Sequence, residues 1–179
     1  IKVTSSGHGK LNQIQSVTEG SMFDTVLKGE RLEPTAIALN LGEKLLNLNV
    51  DVFGDRLHSQ FKYAFTPKQP SQFILDLNEF DFSPILIVLN PKLMDDPELK
   101  AKVDGHVQLD FLSTQSELAR GSVSLKSYLL QKNDFYLKLV NPIELPIQLG
   151  FFSLSPATFK FKNSEFKVTG EGSRGNVDL

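Results

Sequence analysis

From Leu46 to Val52 the chain reads Leu-Asn-Leu-Asn-Val-Asp-Val, an unbroken alternation of apolar and polar side chains. Successive side chains of an extended strand point to opposite faces, so a two-residue period predicts a strand with one buried face and one wet face. The same period recurs to the end of the chain. It predicts a mainly β, antiparallel architecture, since antiparallel sheets are the ones that leave a face to water.

After the Gly54-Asp55 turn, Leu57, Phe61, Tyr63 and Phe65 share one face while His58, Gln60 and Lys62 take the other. This run pairs with Leu46, Leu48, Val50 and Val52 as a predicted hairpin. Further alternating sets are Phe73, Leu75 and Leu77, then Val103, Val107, Leu109 and Phe111, then Val123 and Leu125. Phe135, Leu137 and Leu139 form another, followed by Ile143, Leu145, Ile147 and Leu149, by Phe159 and Phe161, and by Phe166 and Val168. Gly29-Glu30, Gly42-Glu43, Asn133-Asp134, Gly150 and Gly170 punctuate them at the roughly 8 to 12 residue spacing of a β meander. Residues 11–14, 22–27 and 37–41 fit the same plan less cleanly. One elongated domain covering residues 1–179 is expected.

One stretch breaks the alternation, between residues 83 and 100. Ser83-Pro84 is a helix-start signal, with the serine hydroxyl placed to accept from an orphan amide and proline tolerated in the first turn. Ile85 to Leu89 then run apolar without a break, and Pro91 and Pro97 limit continuation. One or two short helices are expected here, covering one end of the apolar face. Pro142 and Pro146 pose a different question, since both interrupt an alternating run. Four residues apart in a strand, they remove donors from one edge only, which predicts a strand with one blunted edge at a margin or bend of the sheet.

Composition narrows the chemistry. A net charge of -2 leaves no basic surplus to track a phosphate backbone, so nucleic acid is not expected as a partner. The chain has no cysteine, which removes disulfides, thiolate zinc sites and thiol nucleophiles. His8, His58 and His106 have no metal-ligand spacing and read as surface residues. Asp95, Asp96 and Glu98 lie between prolines without the spaced oxygens of a calcium loop and read as a solvated turn. There is no Gly-x-Ser-x-Gly elbow, and the glycine-rich Gly170 to Gly175 lacks a following helix to cradle phosphate; it reads as a strand end leading to a last strand over residues 176–179. No catalytic residue, metal or cofactor is expected. No window reaches the roughly 18 to 20 apolar residues of a membrane span. The opening Ile1-Lys2-Val3-Thr4 reads as a strand entered midway, as in a fragment of a longer protein.

The chain carries 14 Phe and no Trp, and most of its large apolar groups fall on one face of the alternating runs. Two architectures accommodate them. A closed sandwich or barrel would use them as a dry core, as in an adhesion or carbohydrate-binding module. A curved sheet with its inner face partly open would form an apolar trough, with the alternating apolar residues named above as its lining. Each methylene withdrawn from water contributes about 0.8 kcal/mol, so a chain of about 16 carbons gains around 12 kcal/mol on entering such a trough. A third use of the same sheet is an exposed edge that pairs with a client strand.

"FDFSPILIVLNPKLMDDPELKAKVDGHVQLDF", Phe80 to Phe111, resembles the repeated element of AsmA-like proteins: Asp-hydrophobe-Ser-Pro opening a short helix, a polar link, then a strand with Gly. "GSVSLKSYLLQKNDFYLKLVNPIELPIQLGFFSLSPATFKFKNSEFKVTGEG", Gly121 to Gly172, is similar to repeats of the TamB branch, in which a strand leads to Asn-Pro, alternating residues, a glycine and paired strands. "LLNLNVDVFGDRLHSQFKYAFTPKQPSQFILDL" keeps the same cadence, so the resemblance runs from around Glu30 onward. It implies a long periplasmic protein anchored in the inner membrane, with a sheet folded lengthwise into a taco-like trough. It further implies a non-enzymatic role in moving phospholipid towards the outer membrane. For the TamB branch it adds a partnership with an outer-membrane barrel of the TamA type in assembling surface proteins.

Overall fold

The alternation becomes an antiparallel meander in the computed structural model, which describes residues 2–8, 15–23, 26–27, 30–31, 34–54, 56–90, 92, 99–112, 114–173 and 176–178. The first half contains β1 (Lys2–His8), β2 (Gln15–Met22), β3 (Val26–Leu27), β4 (Glu30–Arg31), β5 (Thr35–Leu41), β6 (Leu45–Val52), β7 (Leu57–Ala64) and β8 (Pro70–Asp81). Helix α1 (Ser83–Leu89) follows, then β9 (Lys100–Leu112), β10 (Gln115–Lys132), β11 (Phe135–Leu139) and β12 (Ile143–Gln148). The chain ends with β13 (Phe151–Phe161), β14 (Ser164–Ser173) and β15 (Asn176–Asp178).

Thirteen strands form one sheet in the order β1-β2-β5-β6-β7-β8-β9-β10-β11-β13-β14-β15, with β12 beside β10 and β13. Among the described residues β3 and β4 pair only with each other. Among the described residues β1 and β15 are its two ends and do not pair with one another, so the sheet they form is open and not a barrel. The residues at 11–14 lie outside those described, as do Asp95, Asp96 and Glu98.

Three two-residue turns set the register of the second half: Asn133-Asp134, Leu149-Gly150 and Lys162-Asn163. Each opens with a positive φ, 47° at Asn133, 54° at Leu149 and 52° at Lys162, which is the backbone that matches the twist of a tight hairpin. Leu149 therefore belongs to a turn, not to the end of the alternating strand, which stops at Gln148. Gly170, expected in a turn, lies inside β14, opposite Leu154.

The two prolines lie where a ladder ends. In the Leu149-Gly150 hairpin the closing pair is Gln148 and Phe151, so the amides of even-numbered residues on β12 face β13 and those of odd-numbered ones face β10. β12 is fully in register with β10 from Ile143 to Ile147. With β13 it pairs only at Ile147 and Gln148. Pro146, the next residue on that side, has no amide to offer, and pairing stops.

Helix α1 begins one residue earlier than the serine cap would require. Phe82 is the N-cap and makes no side-chain cap bond, Ser83 is the first helical residue, and Pro84 follows in the first turn. The capping oxygen comes from Asp81, whose Oδ1 accepts from the Ser83 amide at 2.8 Å. The Ser83 hydroxyl, buried in the first turn, makes no hydrogen bond.

Candidate functional site: the apolar face

Cross-strand register decides which side chains share a face, because directly opposed residues in a sheet point the same way. Leu39, Leu48, Phe61, Phe73, Leu109, Gly121, Ile147, Phe152 and Gly172 are consecutive partners on nine strands. At about 4.8 Å per strand this row is about 38 Å long. A second row runs Ile37, Val50, Ser59, Leu75, Val107, Val123 and Leu145, and a third Val52, Leu57, Leu77, Gly105, Leu125 and Ile143. Leu46 opposes Tyr63 on the same face. Leu137 opposes Phe161, Leu139 opposes Phe159, Phe159 opposes Phe166, and Ala157 opposes Val168.

The apolar strand residues expected from alternation thus lie together on one inner face. Phe65 continues it just beyond β7, its ring edge-on to Tyr63 at 5.5 Å. Leu149 departs from it, since its turn takes it off the strand.

Alternation missed a second set, because three bulges reverse the parity of the strands that carry them; a fourth register shift, between Gln115 and Arg120, lies at the start of β10. The register slips between Leu77 and Phe80 on β8, between Leu125 and Ser127 on β10, and between Leu154 and Ala157 on β13. An extra residue in one strand shifts every later side chain by one position. Phe80, Tyr128, Leu130, Phe152 and Leu154 consequently join the inner face from even-numbered positions. The first two bulges flank Gly105 on β9, whose added Cβ would meet the Ser124 carbonyl oxygen at 2.6 Å. That close approach requires glycine.

Coverage of this face is uneven. At the end beyond the bulges Phe80 is 3% exposed, and Ala101, Leu139 and Ala157 are buried with it. Helix α1 contributes a lid there. The Phe82 ring stacks on Tyr128 with centroids 6.1 Å apart, and Ile87 is buried. Burial also raises the Tyr128 phenol above its usual value near 10, because the phenolate loses hydration. Along the three long rows, by contrast, the side chains are only half-buried, and Ile37 is 45% exposed. Among the described residues the only other sheet is the two-stranded β3–β4 pair.

Surface area gives the same answer. The chain exposes 11877 Å², whereas a compact monomer of 20.0 kDa exposes roughly 8,700 Å². The sheet has one packed end and a long uncovered face.

Aromatic rings organise the uncovered part. Phe61 stacks near Tyr63 at 6.1 Å and reaches Phe111, two strands away, at 6.5 Å. The intervening position on β8 is Ser71, opposite Phe111 and fully buried, with its Oγ accepting from the Ala64 amide at 3.0 Å. Phe159 stacks with Phe166 at 5.5 Å, and Phe135 meets Phe161 edge-on at 5.2 Å.

The outer face is polar and laddered. Asp51, His58, Asp76, His106, Ser124 and Glu144 are consecutive partners on six strands. His58 Nδ1 lies 2.5 Å from Asp51 Oδ1, and His106 Nδ1 lies 2.6 Å from Asp76 Oδ1. The fold therefore brings two of the three histidines into one row, each engaged with a carboxylate. His8 ends the exposed edge strand β1. No three His, Cys, Asp or Glu side chains among the described residues converge where a metal ion could sit. No helix among them is long and apolar enough to cross a membrane.

Comparison of the chain with protein-family models, with curated proteins and with solved structures finds no match.

Proposed function

We propose that this chain is a non-enzymatic segment of an AsmA-like periplasmic protein of the TamB branch, whose inner face carries phospholipid acyl chains between the inner and outer membranes. The observation that carries the reading is the long apolar face over which no second sheet packs among the described residues. A face of this kind offers an acyl chain the same environment as hydrocarbon, and each methylene that enters gains about 0.8 kcal/mol. The inner-face rows offer few polar side chains to hold a chain in one place, so a lipid can move along the face at small change in free energy. A closed sandwich used for adhesion or sugar binding would require a second sheet over these rows. In the parent protein the proposed partners are phospholipid and an outer-membrane barrel of the TamA type.

The test uses the chain as it stands with a fluorescent 16-carbon fatty acid and with phospholipid, followed by titration and native mass spectrometry. Saturable binding that falls in Val50→Asp and Phe61→Asp, while both variants keep the circular dichroism of the parent, is the expected result. A folded chain that takes up neither probe overturns the proposal.

A further inference from the structure

The outer face is not polar everywhere. Near the β12–β13 hairpin Leu118, Leu149 and Phe151 are 44%, 45% and 63% exposed. Two hollows lie among them. One, of about 490 Å³, is lined by Arg120, Gly121, Pro146, Ile147, Gln148 and Leu149. The other, of about 280 Å³, is lined by Pro70, Asp110, Phe111, Leu112, Gln115 and Leu118, together with the same Arg120 and Leu149. Phe151 stands beside them as the cross-strand partner of Gln148.

Two observations separate this patch from scattered surface apolar groups. The first is Leu149 itself. It occupies a left-handed position that favours Gly, Asn or Asp, and the equivalent residues of the β10–β11 and β13–β14 hairpins are the polar Asn133 and Lys162. Phe53 also has a positive φ, yet its ring is stacked on Phe80 at 6.0 Å. Leu149 combines an unfavoured backbone with an apolar side chain exposed to water. A local rule broken without a gain in packing marks a position held for another purpose.

The second is Arg120. Among the described residues its guanidinium has no hydrogen-bond or ion-pair partner. Asp110 is directly opposite in register, but its Oδ1 accepts from Gln72 Nε2 at 2.9 Å. An unpaired planar fork between two hollows of mixed lining, with Asp110 already engaged by Gln72, is complementary to a carboxylate with an apolar group on either side. Arginine beside aromatic and aliphatic anchors is also the composition of protein-binding hot spots.

We propose that the surface around Arg120 docks an extended segment of a partner protein, in which an acidic side chain is flanked two residues away on each side by apolar ones. The two-residue spacing follows from strand geometry, which returns side chains to one side at alternate positions. Arg120, Pro146 and Gln148 lie on the face opposite the apolar rows, while Gly121 and Ile147 of the first row also line the hollow, so peptide binding is read separately from lipid uptake through Arg120→Gln.

The experiment pans a random ten-residue peptide library on the full chain and measures the enriched peptides by fluorescence anisotropy. Enrichment of apolar-x-acid-x-apolar sequences is expected, with affinity falling as salt rises. Arg120→Gln and Leu149→Asn should each weaken them about tenfold or more, as loss of a central anchor does. Asn tolerates the left-handed turn, so Leu149→Asn should leave the thermal midpoint unchanged or higher, which separates lost docking from lost folding. Enriched peptides without a carboxylate, binding that survives both substitutions, or no enrichment at all would each overturn the proposal. So would Arg120-dependent capture of phosphatidylglycerol vesicles without peptide binding.

Discussion

Placing a carboxylate at Val50 measures how open the inner face is. Val50 lies mid-strand on β6 between Ile37 and Ser59, and it is half-buried. Fully burying a valine contributes about 2 kcal/mol, so removing one that is largely but not wholly covered costs between about 1 and 2 kcal/mol. Exchanging a β-branched residue for Asp in a strand adds up to about 1 kcal/mol. On an open face the carboxylate keeps its water, and no desolvation term follows. Val50→Asp should therefore cost about 1–3 kcal/mol and leave a folded protein. Leu139, 4% exposed beneath the packed end, is the reference. There the same substitution opens a cavity and buries an ionisable group, for a cost above about 4 kcal/mol. Urea unfolding followed by far-ultraviolet circular dichroism gives both values from the shift in midpoint at constant slope. Equal losses at the two positions would mean that the rows are covered after all, and the reasoning from exposure would be refuted.

Glycine positions give a second, independent check. A Cβ at Gly121, where φ is 156°, would lie 1.9 Å from the Gln108 carbonyl oxygen, whereas at Gly20 nothing comes closer than 3.9 Å. Gly121→Ala should break the local β9–β10 ladder at a cost of about 2–4 kcal/mol, through at least two lost hydrogen bonds and their desolvated partners, with Gly20→Ala neutral or slightly stabilising; denaturant midpoints decide. Tyr128 sets a pH dependence. Its pKa is raised in the folded state by burial, so its contribution is fully present below the unfolded value near 10 and is lost as pH rises through the folded one. Thermal midpoints from pH 8 to 11 should fall less steeply for Tyr128→Phe than for the parent.

Strand positions and facing were legible from Leu46 to Val52 onward because a two-residue period has one structural meaning. The bulges were not. At Leu129-Leu130 and Phe151-Phe152 two adjacent residues are both apolar, so the sequence does not say which member points inward, and only the register chooses Leu130 and Phe152. Glu79, with φ of 44° at the β8 bulge, is the kind of residue that gives no warning of a left-handed backbone. Ser83-Pro84 located α1 correctly but named the wrong cap, because the helix starts at Ser83 itself and Asp81, two residues upstream, accepts from the Ser83 amide. The choice between open and closed could not be read at all. Identical alternation serves a sheet covered by a partner sheet and one left bare, and only the half-buried state of residues such as Val50 distinguishes them.

β11 and β12 lie end to end in the space between β10 and β13. β11 holds β13 through Leu137, Lys138 and Leu139, and β12 holds it through Ile147 and Gln148 alone, whereas β9 and β10 are laddered along most of their length. Between those two attachments, from Ile143 to Pro146, the ladder is interrupted. Mechanically the molecule is two plates riveted at both ends of a slot. Tension across the sheet concentrates on the few bonds at either end of that slot, so β13, β14 and β15 form the part that separates first. Proline at position 146 keeps the slot from zipping shut.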